Sequence, residues 1–302
     1  MDAFFSPNGV AVVGASTSPE KIGYEIFKNV LATAPQAYPV NPSADAVLGQ
    51  RCYPSVRDIP YNVDLAVIAV PPKLVPDIVD DCGEKNVPAM IVISGGFKEV
   101  GKEELEQEML TRARKHSIRI VGPNCIGVFN GSTGFNTFFQ RDMELPGPGP
   151  VAVLTQSGTV GIGLLETCSD IGVSKFVSYG NAADVNEQEL LSYLSCDKAT
   201  DVIAIYLEGI QNGRAVFEDL PSKPVVILKA GRTPSGTAAA ASHTGAMATH
   251  HALFEGAARQ YGAIVADSFE ELHDLVNLLA LQPLPKGGSV AMITNGAGPC
   301  VL

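Results

Sequence analysis

The chain has 302 residues, of which 46% are hydrophobic and only 18% are charged. This length is sufficient for two domains of about 150 residues, each with its own core, and the composition argues against disorder. The formal net charge of −11 disfavours nucleic acid or an anionic membrane as a partner. A phosphate ligand is still compatible with that charge, because backbone N–H groups at a helix start bind anions without a basic surface.

The cysteines and histidines do not form a metal motif. The six cysteines are scattered, without a C-x-x-C pair, and the adjacent His250 and His251 have no second ligand pair at zinc spacing. We therefore predict reduced thiols in the core and no metal site. Because no signal segment and no run of about 18 apolar residues occur, we also predict a cytoplasmic protein without a membrane span.

Three segments share a short β-branched run that ends in a glycine-containing turn. They begin at Val10, Val151 and Val290, about 140 residues apart. A buried strand that enters such a turn and then a helix is typical of a nucleotide-binding βαβ unit. The chain is therefore predicted to be a series of such units.

Strands alternate with helices in both halves of the chain, which predicts parallel sheets and an α/β fold. In the first half, apolar runs at 65–70, 89–93 and 118–121 alternate with segments of helical character such as 102–115. The second half has predicted strands at 151–154, 175–179, 202–207, 225–228 and around residue 264, and a predicted helix at 268–281.

Segments rich in proline and glycine mark the predicted domain limits. Residues 144–150, ELPGPGP, contain too many of both for a regular element, so we expect a linker and a boundary near residue 145. A second short linker spans 282–288. We therefore expect domains at 1–145 and 149–282, with 287–302 as the start of a truncated third domain.

The first glycine turn is suited to the phosphates of a nucleotide. It contains Gly14 and Ser16 and is followed by Lys21 and Gly23. An NAD-binding unit would have an acidic residue at the end of the second strand, but the sequence there is YPVNP at 38–42. A dinucleotide dehydrogenase is therefore disfavoured. The alternative is that the glycines only permit tight turns.

Four motifs then occur in one order: VNP at 40–42, VDLAVIAVPP at 63–72, ISGGFKE at 93–99 and RIVGPNCIG at 119–127. With them the sequence resembles the CoA-binding domain of the succinyl-CoA synthetase α subunit. It resembles more closely that of the NDP-forming acyl-CoA synthetases, which include ADP-forming acetate–CoA ligases. This resemblance covers essentially the whole chain and implies a Rossmann-like CoA-binding domain followed by a flavodoxin-like parallel-sheet domain.

In this family coenzyme A lies over the carboxyl edge of the first sheet. The resemblance implies that the CoA molecule contacts the matching positions, which are Gly14, Ser16, Lys21, Val40, Asn41, Pro42, Val70, Pro71 and Asn124. We also expect the turns at 124–127 and 179–182 to line the pocket for the acid.

A second candidate site is the segment ASHTG at 241–245, which contains His243 and follows a run of alanines. Imidazole is a good nucleophile near neutral pH and can hold a phosphoryl group, and small neighbours allow a close approach. For a lone histidine, the alternative is a helix cap or a hydrogen bond within the loop. In the synthetases the histidine of the SHTG motif is phosphorylated, and the resemblance gives His243 that role.

A phosphohistidine needs an anion site for its phosphate and a partner for its second ring nitrogen. Ser157, Gly158 and Thr159 open an apolar helix whose first N–H groups face an anion, and they match the family's phosphate-binding turn. Glu208 ends an apolar strand, where a carboxylate can accept the ring N–H and fix the tautomer. The resemblance assigns it this role, and the alternative is a surface glutamate at a strand end.

The resemblance implies the reaction acyl-CoA + ADP + phosphate ⇌ free acid + CoA + ATP. The sequence has no ATP-grasp region and no G-x-x-x-x-G-K-[ST] loop. Mg-ADP or Mg-ATP is therefore expected to bind outside this chain, on an ATP-grasp subunit or a C-terminal continuation of an oligomeric enzyme that takes a small carboxylic acid and phosphate. Two alternatives are a CoA-binding regulatory or scaffolding module and the synthetase-like part of a protein acyltransferase.

Overall fold

The computed structural model describes residues 1–141, 143–210, 212–233, 235–236, 251–285, 287–296 and 298. Two sheets with helices on their faces account for most of these residues. None of the helices in these ranges is long and apolar enough to cross a membrane.

The first sheet is parallel and contains the N-terminal strands. These are β1 (Gly9–Val13), β2 (Gln36–Val40), β5 (Leu65–Ile68), β6 (Ala89–Val92) and β7 (Arg119–Val121). Between β2 and β5 lies a small antiparallel pair, β3 (Ala46–Val47) and β4 (Gln50–Arg51). The order β2-β1-β5-β6-β7 reverses direction between β1 and β5, and such a switch point opens a crevice at the carboxyl ends of the two strands.

Helices cover both faces of the first sheet. They are α1 (Asp2–Phe5), α2 (Ile22–Thr33), α3 (Val75–Glu84) and α4 (Glu103–Lys115). Successive side chains of a strand point to opposite faces, so Val10 and Val12 join the core under α2, whereas Ala11 and Val13 join the core under α3 and α4. Both faces are therefore buried, as in other parallel sheets.

The second sheet has the order β13-β12-β11-β9-β10-β8. The strands are β8 (Gly127–Asn130), β9 (Pro148–Thr155), β10 (Val173–Ser178), β11 (Val202–Leu207), β12 (Val225–Lys229) and β13 (Ile264–Ala266). All neighbours pair in parallel except β8, which is antiparallel to β10. The described helices of this half are α5 (Gly158–Thr167), α6 (Glu187–Cys196), α7 (Gly213–Glu218), α8 (His251–Gln260) and α9 (Phe269–Leu281).

The junction between the two sheets differs from the sequence expectation in two respects. First, β9 begins at Pro148, so the expectation of no regular element within 144–150 is wrong for residues 148–150. Prolines are tolerated there because pairing with both neighbouring strands starts only at Val151. Second, β8 precedes the predicted boundary but belongs to the second sheet. The division of the chain near residue 145 stays a prediction.

The strand predicted from Val290 is absent from the described part of that segment. Residues 289–294 have no regular structure, and Val290 and Ile293 are 85% and 100% exposed. A strand requires a neighbour for its backbone hydrogen bonds, and the described residues provide none at this position. The assignment of 287–302 to a third domain stays a prediction.

Of the five cysteines in the described ranges, four are buried thiols, as predicted: Cys52, Cys82, Cys125 and Cys168. Cys300 lies outside the described residues. Burial raises the pKa of Cys125 to about 12 and that of Cys168 to about 11. The prediction is wrong for Cys196, which is exposed at the end of α6, because Leu190, Leu191 and Leu194 form the buried face of this helix.

Candidate functional site

A cavity of about 320 Å³ lies at the switch point of the first sheet. Five of the positions expected to contact CoA line it, namely Gly14, Val40, Asn41, Pro42 and Val70. The cavity is not lined by Ser16, Lys21 or Pro71, although Ser16 and Pro71 are close in sequence to Gly14 and Val70, which do line it. Its remaining walls were not expected from the sequence and are formed by Val13, Pro54, Ser55, Val56, Leu74, Asp77, Ile78 and Asp81.

The two glycines beside this cavity are required by close backbone contacts. Gly14 has a φ of +92°, and a Cβ there would lie 2.4 Å from the carbonyl oxygen of Ala69. Gly23, in the first turn of α2, approaches Gly14 so closely that a Cβ would lie 2.0 Å from its carbonyl oxygen. The helix start is thereby held against the end of β1, which is the geometry that presents backbone N–H groups to a phosphate.

Asn41 is fixed at the carboxyl end of β2 by hydrogen bonds on each side. Its Nδ2 donates to the carbonyl oxygen of Ala15 at 2.8 Å, and its Oδ1 accepts from the backbone N–H of Ser43 at 2.9 Å. Its own N–H donates to the carbonyl oxygen of Tyr53. The side chain therefore stabilises the turn on which the cavity wall is built.

A second cavity, of about 410 Å³, lies between the carboxyl edges of the two sheets. Asn124 lines it from the first half of the chain, and Ser157, Gly158 and Thr159 line it from the second. Thus the structure places one of the expected CoA contacts beside the expected phosphate turn. The wall also contains Gln140, whose Oε1 is buried without a hydrogen-bond donor among the described residues.

The phosphate turn is formed by the end of β9 and the start of α5. Ser157 caps the helix, since its Oγ accepts from the N–H of Val160 at 3.5 Å. Thr155 Oγ1 donates to the Ser157 carbonyl oxygen at 2.7 Å and accepts its N–H at 3.1 Å. The first N–H groups of a helix have no partner within the helix, so those of Gly158 and Thr159 are suited to an anion.

Glu208 follows β11 at the same edge of the sheet. It is only 9% exposed, so the alternative of a surface glutamate is wrong. Gln156 holds its backbone, because Gln156 Oε1 accepts the N–H groups of Glu208 at 2.6 Å and Gly209 at 3.0 Å. Burial, the charge of Glu208 and a hydrogen bond to its carboxylate raise the pKa of Tyr206 to about 12.

Lys229, at the end of β12, was not expected from the sequence to be part of the site. It is 4% exposed, and its Nζ donates to the carbonyl oxygens of Glu208 at 2.9 Å and Ala230 at 2.7 Å. Burial lowers the pKa of Lys229, and the Glu208 charge acts in the opposite direction. A buried ammonium group therefore lies next to the predicted partner of the phosphohistidine.

His243 lies outside the described residues, as do its neighbours in 237–250. Its role and its contact with Glu208 therefore stay predictions. Within the part of the chain that is described, no group of three or more His, Cys, Asp or Glu side chains is arranged to hold a metal ion.

Comparison with known proteins agrees with this arrangement. Residues 8–131 match the family described as a CoA binding domain, and residues 148–279 match the succinyl-CoA ligase-like flavodoxin domain. The chain is thus one of the CoA-binding, succinyl-CoA ligase-like proteins, and the predicted fold class is confirmed.

Individual relatives identify the family more closely. The chain is 42% identical to the α subunit of ADP-forming acetate–CoA ligase II of Pyrococcus furiosus, and the match covers 100% of this chain and 67% of that protein. It is 44% identical to ADP-forming acetate–CoA ligase I of Archaeoglobus fulgidus, with 100% and 45% covered. The chain belongs to the family of the ADP-forming acetate–CoA ligases and matches their α part.

A solved structure has the same fold over almost the whole chain. The dinucleotide-forming acetyl-coenzyme A synthetase 1 of Ca. Korarchaeum cryptofilum, in complex with phosphate and ADP, superimposes with a TM-score of 0.91 at 42% identity. The match covers 99% of this chain and 66% of that one. Among the three curated relatives named as acetate–CoA ligases with the strongest matches, the chain spans between 42% and 67% of the full length.

Proposed function

We propose that this chain is the CoA-binding and phosphoryl-carrying part of an ADP-forming acyl-CoA ligase. The observation that carries the proposal is the cavity between the sheets, where Asn124 of the CoA-binding half borders the Ser157–Thr159 turn. A thioester whose CoA lies along the first sheet would reach phosphate at the start of α5 in this cavity. Proximity of this kind supplies much of the catalysis of a group transfer.

The reaction would proceed in three steps. An oxygen of phosphate attacks the thioester carbonyl and displaces the thiolate of CoA, which gives an acyl phosphate. A ring nitrogen of His243 then attacks the phosphorus, which releases the carboxylate, and the phosphohistidine finally transfers its phosphoryl group to ADP. The covalent phosphohistidine retains the free energy of the thioester until the phosphoryl group is transferred to ADP.

Three parts of the chain would support these steps. The helix start at Ser157, Gly158 and Thr159 would bind the phosphate, and Glu208 would accept the N–H of the second ring nitrogen of His243. The burial of Glu208 supports this role, because a buried carboxylate interacts more strongly with an imidazolium than an exposed one does. A purely regulatory CoA module would not require this carboxylate.

ADP would bind on an ATP-grasp part outside this chain, as a separate subunit or as a continuation of the polypeptide. The length of the relatives supports this, since the chain spans 45% of one and 67% of another. If that part is a separate subunit, the enzyme is an oligomer. The buried reduced thiols favour a reducing compartment such as the cytoplasm.

We propose acetate as the acid, because several relatives at 40% identity or more are named acetate–CoA ligases. Other relatives are named for different acids, 4-hydroxybutyrate at 37% identity and trans-ferulate at 32%. Comparing turnover of these three acids by the complete enzyme tests the choice, and we expect acetate to have the highest kcat/KM.

The chain itself can be tested by calorimetric titration with CoA. We expect binding, and we expect Asn41→Asp to weaken it at least about tenfold, because a carboxylate would repel the polyanionic ligand and the Ala15 carbonyl oxygen. Asn212→Asp is the matched control: it adds the same charge at the cap of α7, where Asp caps as well as Asn.

Two outcomes would contradict the proposal. One is the absence of CoA binding, or equal weakening by both substitutions. The other is ATP formation from acetyl-CoA, ADP and phosphate by the purified chain without an ATP-grasp part.

A further inference from the structure

Asn181 lies in the turn after β10, where the two halves of the chain meet. Its Nδ2 donates to Glu99 Oε2 at 2.7 Å and to Glu106 Oε2 at 2.9 Å. Its Oδ1 accepts from Nδ2 of Asn124 at 3.3 Å. This one side chain therefore connects an acidic pair behind the site to a residue that lines the cavity.

Of the two acidic residues, Glu99 determines which end of the Asn181 amide faces them. Burial opposes ionisation of Glu99, but hydrogen bonds from Asn181, Gly96 and Phe97 outweigh it and hold the pKa of Glu99 below its usual value. An ionised carboxylate only accepts hydrogen bonds. Asn181 must therefore present its NH₂ group to Glu99, and its oxygen is left to face Asn124. The distance of 2.9 Å from Asn181 Nδ2 to Glu106 Oε2 fits the same orientation, although burial raises the pKa of Glu106.

The orientation of the Asn181 amide also fixes that of the Asn124 amide, which donates to it. Its NH₂ group is turned toward the Asn181 oxygen, so its own Oδ1 lies on the opposite side, where a Cβ placed on Gly95 would be 2.9 Å away. Gly95 and Asn124 both line the cavity between the sheets. The backbone N–H of Asn124 is also fixed, by the carbonyl oxygen of Ser94 at 3.0 Å. Asn124 thus offers a hydrogen-bond acceptor next to Gly95.

We propose that Asn181 is a positioning residue, which orients Asn124 so that its side-chain oxygen accepts a hydrogen bond from the CoA arm. The ligand group at this position must be a donor, so it is an amide N–H or the thiol S–H of CoA. A phosphate or carboxylate oxygen would be repelled here and is directed to the start of α5 instead. This inference rests on the proposed function, because it assumes that CoA occupies the cavity.

Calorimetric titration of the chain with CoA tests whether Asn181 acts on CoA binding through Asn124. Loss of one such hydrogen bond corresponds to about tenfold in affinity, so we expect Asn181→Ala and Asn124→Ala each to weaken binding by about that factor. Because the two residues act through one contact, the double variant is expected to bind CoA no more weakly than Asn124→Ala alone. A merely structural role of Asn181 would not produce this non-additivity.

Arg119→Gln is the matched control for damage to the junction. Arg119 also joins the two halves, with Nε 3.0 Å from Asp184 Oδ2 and Nη2 2.8 Å from Glu189 Oε2, but it does not contact Asn124 in the described structure. We expect it to lower thermal stability and to leave the Kd for CoA unchanged. Equal loss of CoA affinity in Arg119→Gln and Asn181→Ala would overturn the inference.

The remaining outcomes are also decisive. Unchanged affinity in Asn181→Ala, or a double variant about tenfold weaker than Asn124→Ala, would overturn the inference and leave the proposed function standing. If Asn181→Ala does not fold, Gly95→Ala displaces the Asn124 oxygen directly, and unchanged CoA affinity in that variant overturns the inference. Absence of binding by the unaltered chain would contradict the proposed function itself.

Discussion

Glu187 illustrates how burial acts on a single ionisable group near the site. It lies in the first turn of α6, is 4% exposed and borders a cavity of about 150 Å³. Burial raises the pKa of its carboxyl group, and a hydrogen bond from its own N–H acts in the opposite direction. Tyr179 is buried nearby, and its hydroxyl has no hydrogen-bond partner among the described residues.

The raised pKa of Glu187 predicts how the free energy of unfolding of the protein changes with pH. Below the pKa of the unfolded chain, about 4.3, both states are protonated and folding carries no penalty. As the pH rises from there through the higher pKa of the folded state, the unfolded chain binds fewer protons than the folded one, so stability falls. Glu187→Gln is expected to remove this decline and to be more stable than the unaltered protein at pH 8.

Urea unfolding at pH 4 and pH 8 measures this effect. Glu103→Gln is the matched control, because Glu103 lies in the first turn of α4 but is exposed, and its substitution should change stability by less than about 0.5 kcal/mol at either pH. The explanation fails if Glu187→Gln is no more stable than the unaltered chain at pH 8.

At this scale the sequence revealed the residues with distinctive motifs and missed those that act through position. Asn41, Asn124 and the Ser157–Thr159 turn were predicted from their motifs, and the structure places each of them at a cavity wall. Gln156 and Lys229 could not be found in this way, because glutamine and lysine at strand ends are common. Their contacts with the Glu208 backbone depend on which strands are neighbours.

At the scale of the elements, the approach of α2 to β1 depends on one glycine. Gly23→Ala would place a methyl group 2.0 Å from the Gly14 carbonyl oxygen, which is backbone and cannot easily move. We expect a loss of about 2–3 kcal/mol in the free energy of unfolding. Chemical denaturation measures it.

Gly256→Ala provides the opposite case in the same kind of element. Gly256 lies within α8, and apart from its chain neighbours and the adjacent helix backbone no heavy atom of the described residues lies within 4 Å of its Cβ position. Alanine there is expected to increase stability by about 0.5–1 kcal/mol, since it restricts the unfolded chain and favours helix. A change of stability in the same direction for Gly23→Ala and Gly256→Ala would contradict the difference in packing between the two positions.

Most strands of the two large sheets were predictable because they are short apolar runs buried on both faces. The predicted strand at 202–207 coincides with β11 (Val202–Leu207), and the predicted runs at 65–70 and 89–93 contain β5 and β6. β8 was missed because Gly127–Asn130 is brief and acquires its structure from pairing with β10, about 50 residues later in the chain. The local sequence pattern of a strand does not show which distant strand will pair with it.

At the scale of the whole molecule, the fold class followed from alternation of strands and helices, but the meeting of the two carboxyl edges did not. Asn181 and Asn124 are distant in the chain and contact each other only because the second sheet docks on the first. The cavity that carries the proposed function is formed by this docking. The sequence indicated it only through the expectation that the turns at 124–127 and 179–182 line one pocket. In the structure residues 124–126 line this cavity, whereas residues 180–182 line a different one of about 150 Å³.

The central claim is that His243 carries the phosphoryl group between acyl-CoA and ADP. The direct measurement is labelling of the complete enzyme, this chain with its ATP-grasp part, by radioactive phosphate and acetyl-CoA. We predict an acid-labile, base-stable label that is lost in His243→Ala and retained in His273→Ala, since His273 lies in α9. Equal labelling of the His243→Ala enzyme would contradict the account.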